Sequence, residues 1–318
     1  MREIAGYIFS VDFANAILRM STPLLFVSMA AVVGAKADVL CIAYEGMMLT
    51  AALGGVIASA YSQSLFIGLL GGLASGMLIA VIFAYFMLVL DTKPMLVGLA
   101  LNMLGSGGTI YATFILTGSK GNTNSLPSLT FPSLQIPLVR DIPVLGQILS
   151  GHNVLTYLSF LSVIAVYVFI YKTPLGMRIR AVGENPDAAR SAGVNVVRTK
   201  FTALMISGLL ASFGGIFMTM GYLNAFTRDM ISGRGFIGIA AQNLGQGHPL
   251  ATMICTMVFG GATAAGNMSQ SLRLPSQIAQ MAPYVVTLLG LALVGMTDRI
   301  KKRTTRKKNE EKKKSKEE

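Results

Sequence analysis

Residues 64–90 read SLFIGLLGGLASGMLIAVIFAYFMLVL, with no charged side chain anywhere in the run. As a helix rising ~1.5 Å per residue, this stretch outruns the roughly 30 Å hydrocarbon core of a bilayer. Other apolar segments of spanning length lie at 13–35, 39–60, 94–116, 153–172, 201–222, 235–265 and 279–296. Composition agrees: of 318 residues, 53% are hydrophobic and only 13% charged, where a soluble domain carries about a quarter. So few charges cannot cover a globule of this size, and the bilayer is the solvent that fits. The expected fold is therefore all-α, a polytopic transmembrane bundle of about 8 to 10 helices, some broken or re-entrant. Its membrane domain is expected over 1–298, followed by a basic tail over 299–318.

Charge distribution orients the chain. Residues 1–171 hold six basic and six acidic side chains, residues 172–200 hold six and two, and the tail from Thr297 holds eleven and five. Basic excess beside a span marks the cytoplasmic side, so the 173–200 loop and the tail are expected inside. The long loop 117–152, with Pro127, Pro132, Pro137 and Pro143 and no basic excess, is expected outside. One span, 153–172, joins the two. Near the N-terminus Lys36 and Asp38 cancel, which leaves the first crossings unoriented. Met1 to Val11 lacks a signal peptide's apolar core and cleavage site. Parity requires 235–265 to enter and leave on one side or to cross twice, with Gly245-Gln246-Gly247-His248-Pro249 as its break. Broken helices in membranes line cavities and mark transport sites. A juxtamembrane basic tail reads as a topology and lipid signal, not as a nucleic-acid site.

Within the spans, Gly68, Gly72 and Gly76 form one ladder of small residues four apart, and Ala203, Ser207, Ala211 and Gly215 form another. Such ladders let helix backbones approach closely in lipid. Cys41 and Cys255 make no disulfide framework, and His152 and His248 join no cluster with metal-ligand spacing. A Walker A loop needs Gly-Lys before Ser or Thr, and that dipeptide is absent. Gly233, Gly235 and Gly238 spell GxGxxG but lack the preceding strand and the following acid of a dinucleotide fold. The chain is thus expected to be no enzyme, and any ATP it uses must bind another subunit.

The inside loop carries a well-punctuated short helix. Asn185 suits the N-cap, Pro186 the first helical position, Asp187 the first turn, Arg190 the last turn and Gly193 a left-handed stop. A helix of about two turns is marginal in water and needs a surface to pack on, either the membrane or a cytoplasmic partner. The run from Thr173-Pro174-Leu175-Gly176 through Arg180-Ala181-Val182-Gly183-Glu184-Asn185-Pro186 to Ala188-Ala189 resembles the coupling loop of ABC importer permeases. The matching family serves branched-chain amino acids, ribose-type sugars and nucleosides. Glu45-Gly46-Met47-Met48-Leu49 is similar to the signature of its simple-sugar and nucleoside branch. So are Gly235-Phe236-Ile237-Gly238-Ile239-Ala240 with His248-Pro249-Leu250, and Leu274-Pro275-Ser276-Gln277 with Pro283-Tyr284. The resemblance runs from Thr22 to Leu293. Departures stand at Cys41-Ile42-Ala43-Tyr44, where the family has an Asn-Ile-Gly-Leu run, and at Gln242 and Asn243, where it is apolar.

The resemblance implies a permease half in a plasma membrane, paired with a related second permease. It also implies two ATPase subunits carrying ATP and Mg, and an extracytoplasmic substrate-binding protein. The ATPase-coupling residues it implies are Arg180, Gly183, Glu184, Asn185, Pro186, Ala188, Ala189 and Gly193. Gly183→Asp and Ala189→Glu are the substitutions expected to abolish docking. Nucleosides are the expected substrate, with ribose-type sugars as the alternative. From the residues alone, Glu45 is the only acid well inside an apolar span. It is open to a structural role on backbone amides, to a substrate contact, or to pairing with Arg19. Asn102, Gln242 and Asn243 offer neutral donors and acceptors that suit a nucleoside, or that bind helix to helix. The competing class is a secondary transporter driven by an ion gradient, for which only Glu45 is available as a titratable site.

Overall fold

The computed structural model describes residues 11–126, 128–134, 150–271 and 285. The expected span 279–296 apart from Val285, the basic tail, and the motif from Leu274 to Tyr284 lie outside the described residues. What is described is an all-α membrane bundle of ten α-helices with one two-residue hairpin pair. Six of its helices, one extended by a π-helical segment, are long and apolar enough to cross a membrane.

Helix α1 (Val11–Lys36) is the central post. It is buried from Met20 to Gly34 and packs against the helices that begin at Val154, Val196, Arg234 and Pro249. The chain then turns at Asp38, where φ is 53°, and runs without helix to Ala43. Helix α2 (Tyr44–Ser62) starts only there, so the expected span 39–60 begins as irregular backbone. Helices α3 (Leu65–Leu88) and α4 (Pro94–Thr117) follow at the periphery, with exposed leucine, phenylalanine and methionine side chains. Strands β1 (Ser133–Leu134) and β2 (His152–Asn153) pair antiparallel before α5 (Val154–Lys172). Two short helices, α6 (Pro174–Glu184) and α7 (Pro186–Ser191), form the basic loop. Helix α8 (Val196–Ile216) runs into a π-helix (Phe217–Leu223), and α9 (Arg234–Leu244) and α10 (Pro249–Ser271) complete the described bundle.

Both ladders of small residues lie at helix contacts. A methyl group added at Gly72 would stand 2.6 Å from Cγ1 of Ile216 and 2.9 Å from the Ala51 carbonyl, so α3 meets the backbone of α2 and a side chain of α8 there. On α8, Ser207 donates to the Ala30 carbonyl at 2.7 Å and shares a 2.8 Å hydrogen bond with the Tyr44 hydroxyl. That polar knot is buried among α1, α2 and α8, where each group needs a protein partner because lipid supplies none.

The bundle has two distinct ends. Residues 118–126 and 128–134 drape over one: Leu129 N–H donates to Ser59 Oγ, Phe131 N–H to the Met220 carbonyl, and Thr123 exchanges hydrogen bonds with Phe226. Helices α6 and α7 cover the other, where α6 packs on Lys36. Helix α5 joins the ends, as the alternation of loops predicts. Helix α1 begins at the draped end, which the balanced charges of the N-terminal region left open.

The segment 235–265 holds a short helix and a spanning one, joined at the predicted break. From Asn224 the chain descends from the draped end as irregular backbone, and α9 finishes the descent beside Lys36. At ~1.5 Å per residue the 11-residue α9 covers only about half a bilayer. The break at Gly245–His248 carries positive φ at Gln246 and Gly247. Helix α10 then returns along α1, with Thr256 on Ser28 and Asn267 reaching Met20.

Candidate functional site: a polar seam at mid-height and a loop at one end

The start of α2 is where backbone groups lack helical partners, and a side chain from α4 supplies them. Asn102, on α4, accepts from Gly46 N–H at 2.8 Å and donates to the Ile42 carbonyl at 2.9 Å. Its amide thus spans the break before α2. Glu45 accepts from the N–H groups of Gly233 (2.7 Å) and Gly235 (2.8 Å) at the start of α9. One carboxylate therefore closes the N-terminus of a half-helix, where unsatisfied donors and the helix dipole favour negative charge. Of the three roles open to Glu45, the backbone-amide role is what the geometry displays. Arg19 is elsewhere, with its guanidinium 5.3 Å over the Tyr222 ring. It faces a cavity of about 730 Å³ at the draped end, lined also by Asp12, His152 and Asn224.

Asp229 is the residue that hydropathy missed. It lies between two apolar segments and looks like loop in the sequence. In the fold, Ser106 donates to its carboxylate at 3.2 Å, and Ser106 is half-way along α4. The neighbours of Asp229 stay on the draped segment, with Thr227 bridged to Asn122 and Arg228 N–H on the Gly121 carbonyl, so the Asp229 side chain is what reaches down to Ser106. Its side chain is 57% exposed and sits 3.5 Å from Arg228, itself 63% exposed. An exposed ion pair between the draped segment and the middle of α4 must face water or protein, not lipid. Asp229, Ser106, Glu45 and Asn102 make one polar seam along α4 and the starts of α2 and α9. The only hint in the sequence was that Arg228, Asp229 and Arg234 interrupt two apolar segments within seven positions.

Gln242 and Asn243 do not join that seam. They line a separate cavity of about 200 Å³ towards the loop end, with Asp38, Cys41, Tyr44 and Ile239. The substrate-path candidates from the sequence thus divide into two pairs at different depths.

The loop helices carry the local structure that their sequence prescribes. Asn185 accepts from Asp187 N–H and Ala188 N–H, Pro186 leads the helix, and Gly193 takes φ of 81°. Their faces are more particular. Glu184, Asn185, Asp187, Ala188 and Ser191 are exposed, and Gly193 is exposed at the stop. Ala189 is buried, and Gly183 backs onto the Lys36 carbonyl with no room for a side chain. Gly183→Asp and Ala189→Glu would therefore disturb the packing of the loop on the bundle and are poor reporters of docking. Arg180 also turns inward, with its guanidinium 5.2 Å over the Tyr171 ring.

Residues 13–296 match the family described as branched-chain amino acid transport system / permease component. The chain belongs to this family. Among its relatives, the guanosine ABC transporter permease protein NupQ of Bacillus subtilis is 32% identical over 90% of this chain and 93% of its own. The putative glucose ABC transporter permease protein TsgC13 of Haloferax volcanii is 32% identical over 84% of this chain and 80% of its own. The nucleoside ABC transporter permease protein NupC of Lactococcus lactis is 28% identical over 86% and 89%. Among solved structures, PsaBC from Streptococcus pneumoniae in complex with Fab superposes with a TM-score of 0.54 at 12% identity, covering 91% of this chain and 94% of that one, and so shares the fold. As a member of this permease family the chain is an ABC transporter permease and a multi-pass membrane protein.

Proposed function

We propose that this chain is one permease half of an ABC importer for nucleosides. The substrate path follows the seam of Asp229, Ser106, Glu45 and Asn102, completed by a related second permease. Asp229 carries this reading, because an exposed carboxylate reaching from the draped segment to Ser106, half-way along α4, needs a polar conduit. A nucleoside offers hydroxyls to that carboxylate and base edges to the amides. The full-length similarity to permeases named for guanosine and nucleosides supports that substrate class. The glucose permease relative supports sugars as the second reading. The basic loop end faces the cytoplasm of a plasma membrane, and the basic tail lies on the same side. The exposed face of α7 docks a separate ATPase subunit, one on each permease half, which binds ATP and Mg. A substrate-binding protein delivers to the draped end.

Uptake of labelled guanosine into proteoliposomes holding the complete transporter tests the proposal. Asp229→Asn is expected to lower initial uptake about tenfold, as losing one charge-assisted hydrogen bond of roughly 1.4 kcal/mol does. Co-purification with the ATPase should be unchanged. Uptake of labelled glucose with none of labelled guanosine would move the substrate to sugars. Uptake driven by an ion gradient in vesicles holding this chain alone would refute the ABC reading.

A further inference from the structure

Helix α6 and the break between α9 and α10 are far apart in sequence, yet one aromatic ring touches both. Tyr171, in the last turn of α5, has the Arg180 guanidinium 5.2 Å from its ring centroid. The His248 ring lies 5.8 Å from the same centroid at an interplanar angle of 36°. Tyr167, one turn back, flanks both, at 5.2 Å from Tyr171 and 6.0 Å from His248. Arg180 Nε is buried and has no hydrogen-bond partner among the described residues. A guanidinium so placed is held largely by the ring face, which attracts cations. His248 ends the break: its N–H bonds the Gly245 carbonyl, and its own carbonyl accepts Thr252 N–H in the first turn of α10. It is thus the residue about which α9 and α10 are joined.

We propose that Tyr171 and His248 are positioning residues that carry movement of the docking loop to the broken α9–α10 pair. This rests on the reading of α6 and α7 as the ATPase-facing loop. A push on α6 displaces Arg180, and the stacked rings pass that displacement to the break. Helix α9 answers as a unit, because its far end is held by Glu45 and its near end is tied to the break by Gln246 N–H on the Asn243 carbonyl and Gly247 N–H on the Gln242 carbonyl. The loop end is thereby connected to the mid-height seam through packed side chains with no flexible linker between them. Lys36 provides the fixed reference, since α6 packs on its carbonyl while its side chain lies beside Gly247.

The intact transporter, purified with its ATPase subunits and reconstituted in proteoliposomes, tests the relay. Tyr171→Leu and His248→Gln are each expected to keep ATPase association and to keep ATP hydrolysis within about twofold. Nucleoside uptake per ATP hydrolysed should fall at least tenfold. The double variant should be no worse than either single one, and Tyr171→Phe, which keeps the ring, should keep wild-type coupling. Wild-type coupling in Tyr171→Leu, or additive losses in the double variant, would overturn the proposal. If Tyr171→Leu fails to assemble, His248→Gln decides alone by the same uptake-to-hydrolysis ratio. Failure of the unmodified chain to hold an ATPase would instead count against the docking role of the loop.

Discussion

Glu45 and Asp229 are carboxylates of the same polar seam, yet they are held differently. Glu45 spends its oxygens on two backbone N–H groups of α9, while Asp229 keeps most of its carboxylate exposed beside Ser106 and Arg228. Their substitutions should separate. In Glu45→Gln, one of the two N–H acceptors is replaced by a donor that opposes Gly233 or Gly235. A hydrogen bond to a charged group contributes about 2 kcal/mol, and denaturant titration of the detergent-purified protein should show a loss of that order. Asp229→Asn should leave the same titration unmoved while uptake falls. A carboxylate in an apolar run can be found by scanning the sequence, and Glu45 was. A carboxylate that reaches Ser106 from irregular backbone cannot, because nothing local to Asp229 distinguishes it from a surface loop.

At the scale of elements, the loop helix shows how far local rules reach. The cap, the leading proline and the left-handed stop are properties of neighbouring residues, and they appear in α7 as the sequence prescribes. Which side faces the bundle depends on α6 and Lys36, which the local pattern does not contain. Two adjacent alanines make the distinction measurable. Ala188→Glu places a carboxylate on the exposed face and is expected to change stability by less than about 0.5 kcal/mol while abolishing ATPase co-purification. Ala189→Glu buries an unpaired carboxylate and should cost roughly 3 kcal/mol, read as lost yield of folded protein. The glycine ladder of α3 was equally legible, because spacing four apart is a helical property. Its partner helices were not. With Ile216 and the Ala51 carbonyl both within 3 Å of an added methyl at Gly72, Gly72→Leu should cost about 3 kcal/mol by forcing α3 off α8, monitored by thermal stability in detergent.

For the whole molecule, the two ends of the bundle must open on opposite compartments. Single cysteines at Asn124 and Ser191, both exposed, should react with a membrane-impermeant thiol reagent from opposite sides of a sealed vesicle, with Ser191 on the cytoplasmic side. Labelling of both from one side would contradict the arrangement of α5. Sequence alone determined that this chain lives in a bilayer, where its breaks fall and which of its loops is basic, since hydropathy, glycine and charge act over a few neighbouring residues. Tertiary structure decided what those features meet. It brought Asp229 to Ser106, set Glu45 on the start of α9, and stacked Arg180, Tyr171 and His248. It also split the pair Gln242 and Asn243 from the seam. The placement of Asp229 and of Glu45 depends on where irregular backbone re-enters the bundle. That placement follows from hydrogen bonds between groups tens or hundreds of residues apart, which no local window of sequence contains.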